Sequence, residues 1–118
     1  MKKTYYLKTC STCSRILKEL QLSDDFELQD IKSQAITASQ LEEMKALAGS
    51  YEALFSKRAT LYKQRDLKNK SLTENDYKSL ILEHYTFLSR PVTLFNSEIF
   101  VGNSKKTIEA LKLALNEN

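Results

Sequence analysis

The sequence predicts an α/β fold: a four-stranded mixed sheet flanked by helices, with a helical insertion between strands two and three. Three observations predict it. The hydrophobic period runs from two to 3.6 and back to two within the first thirty residues. A long middle stretch keeps helical spacing behind serine and threonine caps. The single proline, Pro91, closes that stretch and is followed by a hairpin pattern and one last amphipathic run.

Thr4 to Lys8 is aromatic and β-prone, and reads as strand one. From Ser14, residues Ile16, Leu17, Leu20 and Leu22 mark one face of a helix. Phe26-Glu27-Leu28-Gln29 alternates, which places strand two at about 26–30. A helical crossover between two strands implies a parallel pair. In the middle, Ser39-Gln40-Leu41-Glu42 has the form of a capping box. Leu41, Met44, Leu47 and Ala48 follow at helical spacing, and Gly49 is placed to end the helix. Tyr51, Leu54 and Phe55 predict a further short helix. Thr73, with Asp76 three residues on, caps the next, whose inner face reads Tyr77, Leu80, Ile81, His84 and Leu88. Pro91 forbids continuation and pushes Arg90 toward extended geometry. Val92–Phe95 and Glu98–Val101 flank the turn Asn96-Ser97 and form an antiparallel hairpin. Gly102-Asn103-Ser104 then leads into a helix with Ile108, Leu111 and Leu115 inward. All 118 residues read as one domain, with the insertion at about 37–89.

Composition narrows the class. With 42% hydrophobic and 28% charged residues the chain is neither a disordered tail, a collagen-like repeat nor a disulfide-rich toxin. It contains no apolar run of the length a bilayer span requires, and no membrane association is expected. Met1-Lys2-Lys3 resembles the start of a leader, but Thr4–Lys8 is no apolar core for one, so the chain is read as cytoplasmic. A net charge of +3 does not demand a nucleic acid, and no direct contact with one is expected. From Lys57 to Lys70 there are six basic residues against one acid, Asp66. Such a run is most often a solvated face, and otherwise faces an anion or an acidic partner.

The chemistry lies in the only two cysteines, Cys10-Ser11-Thr12-Cys13, at the junction of strand one and helix one. A helix N-terminus carries partial positive charge and unpaired N–H groups, which favour a thiolate. The thiolate is the nucleophile. Cys10, just ahead of the helix, is the better candidate, and Cys13 in the first turn can attack a mixed disulfide on Cys10. In a predicted βαβ context, Cys-x-x-Cys reads as a redox motif. Two merely buried cysteines at this junction would be a coincidence. Zinc needs more ligands than the pair and His84, predicted in mid-helix, supply, so no metal is expected.

Three separated pieces make the chain resemble the arsenate reductase-like (ArsC/Spx) branch of the thioredoxin superfamily, whose fold has the layout derived above. They are Lys8–Arg15, Ala53–Tyr62 and Ser89-Arg90-Pro91-Val92. The resemblance implies that Cys10 is the nucleophile and that Arg90 faces it and binds an oxyanion, with Pro91 cis. It implies an anion side completed by Ser11, Thr12, Ser14, Arg15 and Arg58. Arginine's fork suits a tetrahedral oxyanion or the carboxylates of glutathione. Arg15 and Arg58 read equally well as solvent-facing residues. Arsenate reductases of this class carry a further arginine after strand four, where this chain has Phe100-Val101-Gly102-Asn103-Ser104. Cys13 departs from their single-cysteine pattern and resembles the dithiol of Spx-type regulators.

Two functions are therefore expected. One is a thiol-dependent oxidoreductase, arsenate reductase-like or glutaredoxin-like. It would act on a small oxyanion or a thiol/disulfide substrate, with no bound cofactor and with glutathione, thioredoxin or glutaredoxin as electron donor. The alternative is a Spx-like redox-sensing transcriptional regulator that binds RNA polymerase, its Cys10–Cys13 pair serving as the switch.

Overall fold

The computed structural model describes residues 1–116 of the 118. The order is β1 (Lys2–Tyr6), α1 (Ser11–Leu20), β2 (Glu27–Asp30), α2 (Ala38–Ala48), α3 (Thr60–Gln64), α4 (Glu74–Glu83), β3 (Val92–Phe95), β4 (Glu98–Val101) and α5 (Lys105–Asn116). Single 3-10 turns at Glu52–Leu54, Leu67–Asn69 and Tyr85–Phe87 join the middle helices. Two compact units result: Met1–Gln34 together with the chain from Arg90 onward, and Ala35–Ser89. Among the described residues no helix is long and apolar enough to cross a membrane.

The first unit holds one mixed sheet in the order β2-β1-β3-β4, flanked by helices. β1 runs parallel to β2 and antiparallel to β3, so Thr4 lies opposite both Leu28 and Thr93. β1 begins two residues earlier than the aromatic run predicts, and ends at Tyr6. Lys2 and Lys3 join the ladder because their charges are met there: Lys2 Nζ lies 2.7 Å from Asp25, and the buried Lys3 reaches Glu27 at 3.3 Å and the Tyr5 ring at 4.9 Å. β3 and β4 form the predicted hairpin, with Asn96 in the left-handed region at φ 58°, which asparagine tolerates. Ile16 and Leu20 of α1 pack with Ile108 and Leu111 of α5, and Phe100 of β4 joins them. Thr4 and Thr93 lie on the same sheet face as Phe100. Their buried hydroxyls, 3.2 Å apart, hydrogen-bond each other, so neither is left unsatisfied.

In the second unit α2 starts earlier than its sequence implies. The capping box is Thr37 with Gln40, not Ser39 with Glu42: the Gln40 N–H donates to Thr37 Oγ1 at 3.1 Å and the Thr37 N–H donates to Gln40 Oε1 at 3.1 Å. Both boxes fit the consensus. The Thr37 box also places Ile36 before the cap and Leu41 at the fourth helical position, the spacing of a hydrophobic staple, whereas the other would put Ala38 and Glu43 there. Thr37→Ala should therefore cost about 1 kcal/mol in denaturant unfolding. Ser39→Ala, inside the helix, should be neutral or slightly stabilising, since alanine is the better helix former. Gly49 closes α2 at φ 98°, its N–H donating to Lys45 O.

Thr73 and Asp76 cap α4 as the spacing predicts. The helix stops at Glu83, however, so His84 is not in mid-helix and Leu88 is not on its face. His84 turns extended, and its Nδ1 accepts the Thr86 N–H at 3.1 Å to open a new single turn. That turn buries Phe87 and Leu88 fully. Phe87 stacks on Phe55 at 5.4 Å, Tyr77 and Tyr62 meet the same ring edge-on, and Leu88 bridges Phe55 through the backbone. A continued helix could not make these contacts. In the basic run, Lys57 pairs with Glu52 at 2.9 Å; Arg65 pairs with Glu83 at 2.7 Å and covers the Phe87 ring. Arg58, Lys63, Lys68 and Lys70 are exposed.

Candidate active site

β1 hands over to α1 through a tight turn. The Ile31 N–H donates to Tyr6 O at 2.9 Å, extending the parallel ladder to the strand's last residue. Leu7 O then accepts the Cys10 N–H at 3.0 Å, reversing the chain. Cys10 is extended (φ −90°, ψ 115°) and is the cap residue of α1; its carbonyl accepts the first helical bond, from Ser14 N–H at 3.1 Å. Its sulfur thus sits where the free N–H groups of the first turn point. That turn carries no acidic residue to oppose a negative charge.

Cys10 is half-buried, Cys13 lies fully buried within the helix's first turn, and both are free thiols. Their acidities part in opposite directions. Burial is the largest influence on Cys10 and works against its thiolate. The Cys13 N–H, the Cys13 thiol, the Thr12 N–H and the Arg90 charge together outweigh it and hold the Cys10 thiol below its ordinary range. Burial dominates at Cys13 as well, and the neighbouring Cys10 charge adds to it. The Leu7 N–H and Arg90 do not compensate, and the Cys13 thiol is pushed up to about 11. Of the pair, Cys10 is the first to ionise, and Cys13 stays protonated beside it as a proton donor.

Arg90 opens the second chain segment of the same unit. The Arg90–Pro91 peptide is cis, Pro91 is buried, and its carbonyl accepts the Gly102 N–H at 2.9 Å. β3 starts immediately after, with Val92 between Tyr5 and Val101. Both neighbouring strands therefore hold the position from which the guanidinium acts on the two sulfurs.

The structure groups Cys10, Cys13, the Thr12 backbone and Arg90. Ser11 and Ser14 are exposed at the start of α1. Arg15 is exposed too, and lines a groove of about 220 Å³ between α1 and α5 with Asn103 and Lys105. Arg58 is exposed on the loop ahead of α3, in the second unit. Two contributors were not foreseen: the Leu7 backbone, which carries no side-chain signal, and Asp30, whose carboxylate accepts the Lys8 N–H at 3.1 Å. The sequence trace of the latter is a strand ending in Asp with Ser33 three residues on, a turn pattern. Among the described residues no cluster of His, Cys, Asp and Glu could hold a metal ion.

The ArsC family model matches residues 5–111. No curated protein matches the chain by sequence. Among solved structures, an arsenate reductase from Vibrio cholerae has a TM-score of 0.73 at 16% identity, over 94% of this chain and 97% of its own. A Staphylococcus aureus protein reaches 0.71 at 26% identity, over 93% and 97%. An arsenate reductase (ArsC) related protein from Brucella melitensis reaches 0.69 at 20% identity, over 92% of both chains. The three share the fold over nearly their whole lengths.

Proposed function

Because the chain belongs to the ArsC family, we propose that it is a thiol-dependent oxidoreductase with Cys10 as nucleophile and Cys13 as resolving thiol. One observation carries the reading: a capping cysteine and a first-turn cysteine are set to opposite acidities, with the Arg90 charge acting on both.

With a disulfide substrate, the Cys10 thiolate attacks one sulfur. A Cys10–substrate S–S bond forms as the substrate's own S–S bond breaks, and the departing thiolate takes a proton from water. Cys13 gives up its proton, attacks the Cys10 sulfur, and expels the second substrate thiolate, which takes a proton in turn. The substrate gains two electrons and leaves as two thiols, and the chain holds a Cys10–Cys13 disulfide. With an oxyanion the first attack bonds Cys10 to the central atom as one bond from that atom to oxygen breaks, and the oxygen leaves as water with protons taken from solvent. Cys13 then gives up its proton and attacks the Cys10 sulfur; the bond from Cys10 to the central atom breaks, its electron pair stays on that atom and lowers its oxidation state by two, and the Cys10–Cys13 disulfide forms. The N–H groups of α1 and Arg90 stabilise the negative charge in both cases. Glutathione, or a dithiol of the thioredoxin or glutaredoxin kind, restores the reduced pair.

The stretch Phe100–Ser104 contains no arginine to add a second grip on a tetrahedral anion. Turnover assays should therefore give faster reduction of a small disulfide than of arsenate, each with glutathione and with a dithiol donor. Cys13→Ser should stop the cycle at a Cys10 mixed disulfide, visible by mass. Equal inertness toward both substrates, with RNA polymerase retained by one redox form of the chain, would replace this reading with that of a redox-sensing regulator.

A further inference from the structure

We propose that Asp30 is a positioning residue for the Cys10 nucleophile, acting through the backbone of the turn that delivers it. The inference rests on the reading of Cys10 as nucleophile. Asp30 is the last residue of β2 and lies opposite Tyr6, the last residue of β1. From there its carboxylate reaches across to the chain leaving β1. Oδ1 accepts the Lys8 N–H at 3.1 Å, while Oδ2 accepts the Ser33 hydroxyl at 2.9 Å. The Lys32 N–H approaches Oδ1 at 3.5 Å, and the Gln34 N–H donates to the Asp30 carbonyl at 2.9 Å. The loop after β2 thus folds back on Asp30 and fixes its side chain, which in turn holds the other loop.

Lys8 is the place where such a hold matters. The sheet ladder ends at Tyr6, and the next internal bond is the one from Cys10 N–H to Leu7 O. Lys8 and Thr9 lie inside that turn and are both exposed. Without Asp30 the Lys8 N–H turns to water, and the turn loses its one tie to a neighbouring strand among the described contacts. The stabilisation of the Cys10 thiolate depends on the sulfur keeping its place before the Thr12 and Cys13 N–H groups, and that dependence is steep in distance and angle. The Asp30 carboxyl is itself held below the usual carboxylate range, first by the Lys8 N–H, so it is an anionic acceptor near neutrality. The influences on the Cys10 thiol are burial, the two N–H groups, Cys13 and Arg90. The role proposed for Asp30 is geometric, through its hold on the Lys8 N–H.

The test is the pH profile of Cys10 alkylation by iodoacetamide, with the modified residue identified by mass, alongside melting midpoints. Asp30→Ala should slow the reaction at pH 7 about three- to tenfold and move the profile to higher pH, since one unit of thiol pKa is tenfold in thiolate. Asp30→Asn keeps an oxygen at the same place without the charge, and should recover most of the rate. Asp30→Glu keeps the charge but displaces the oxygens by a methylene, and should be slowed like the alanine variant. A folded Asp30→Ala with the parent profile would overturn the proposal. Should Asp30→Ala fail to fold, a parent-like Asp30→Glu would overturn it equally. Faster alkylation in both neutral variants would assign Asp30 a purely electrostatic effect and also overturn it. A parent chain whose Cys10 is no more reactive than an ordinary thiol defeats instead the reading of Cys10 as nucleophile.

Discussion

Cys10→Ser should abolish the fast-reacting thiol and reduce turnover by a factor on the order of 10³ or more, the scale on which loss of a covalent nucleophile leaves only binding and charge stabilisation. The fold should survive. Cys10 occupies the cap position of α1, where serine is a preferred residue, so the melting midpoint should hold or rise slightly. The pH dependence follows from the opposed acidities of the pair. Alkylation tracks the thiolate, so the parent rate rises with pH through the lowered pKa of Cys10, at lower pH than for an ordinary thiol. Cys13→Ser retains an O–H donor beside Cys10 and should keep that profile. Cys10→Ser leaves only Cys13, a buried thiol whose ionisation burial still opposes once the Cys10 charge is gone, so its alkylation should be slower and need a higher pH than that of the parent. A thiol in Cys10→Ser that still reacts fast near neutrality would exchange the roles of the two cysteines.

The tight turn and the period of two made the hairpin legible, but alternation misjudged which side chains of β2 turn inward: Leu28 is exposed and Gln29 buried. Val92–Phe95 and Glu98–Val101 form over the predicted residues. Two of the three pairings were legible, β1 with β2 from the helical crossover and β3 with β4 from the tight turn; the antiparallel join of β1 to β3 that sets the order β2-β1-β3-β4 was not, because periodicity says which residues share a face and not which strands meet. The middle was legible where one cap existed, as at Thr73, and misread where two overlapped, as at Thr37 and Ser39. The end of α4 was misread for a different reason. Leu88 falls at helical spacing from Ile81 and His84, but the pull of Phe87 and Leu88 toward Phe55 outweighs one more turn of helix.

At the site, the placement of the Cys-x-x-Cys motif at a strand–helix junction already implied an activated first cysteine, since a helix start always presents free N–H groups. What sequence could not supply was the second cysteine's surroundings. The burial of Cys13 comes from packing, and it is burial that separates the two acidities. Contacts made through backbone, at Leu7 and Lys8, leave no residue type to read. Arg90 carried a motif-level expectation at Cys10, and its charge acts on both sulfurs.

Arg90→Ala should lower turnover about ten- to a hundredfold, because a charged hydrogen bond at the reacting centre is worth roughly 1.5–3 kcal/mol, and each 1.36 kcal/mol is tenfold in rate. The same change should raise the Cys10 pKa, since the Arg90 charge is one of the influences that favour its thiolate, and so slow alkylation at pH 7. The two effects separate by pH. Above the raised pKa the thiolate returns in full and alkylation recovers, while turnover stays low because the charge that develops on the substrate still lacks its partner. Folding should be little affected: Arg90 is half-buried and precedes β3, whose four buried residues and two neighbouring strands hold that segment without it. Arg90→Lys restores the charge but not the planar two-point grip, so it should recover the alkylation profile more completely than the turnover. A large drop in melting midpoint for Arg90→Ala would make the arginine structural. Unchanged alkylation and turnover in a folded Arg90→Ala would remove it from the site and leave the α1 N–H groups and the Cys13 thiol as the activators of Cys10.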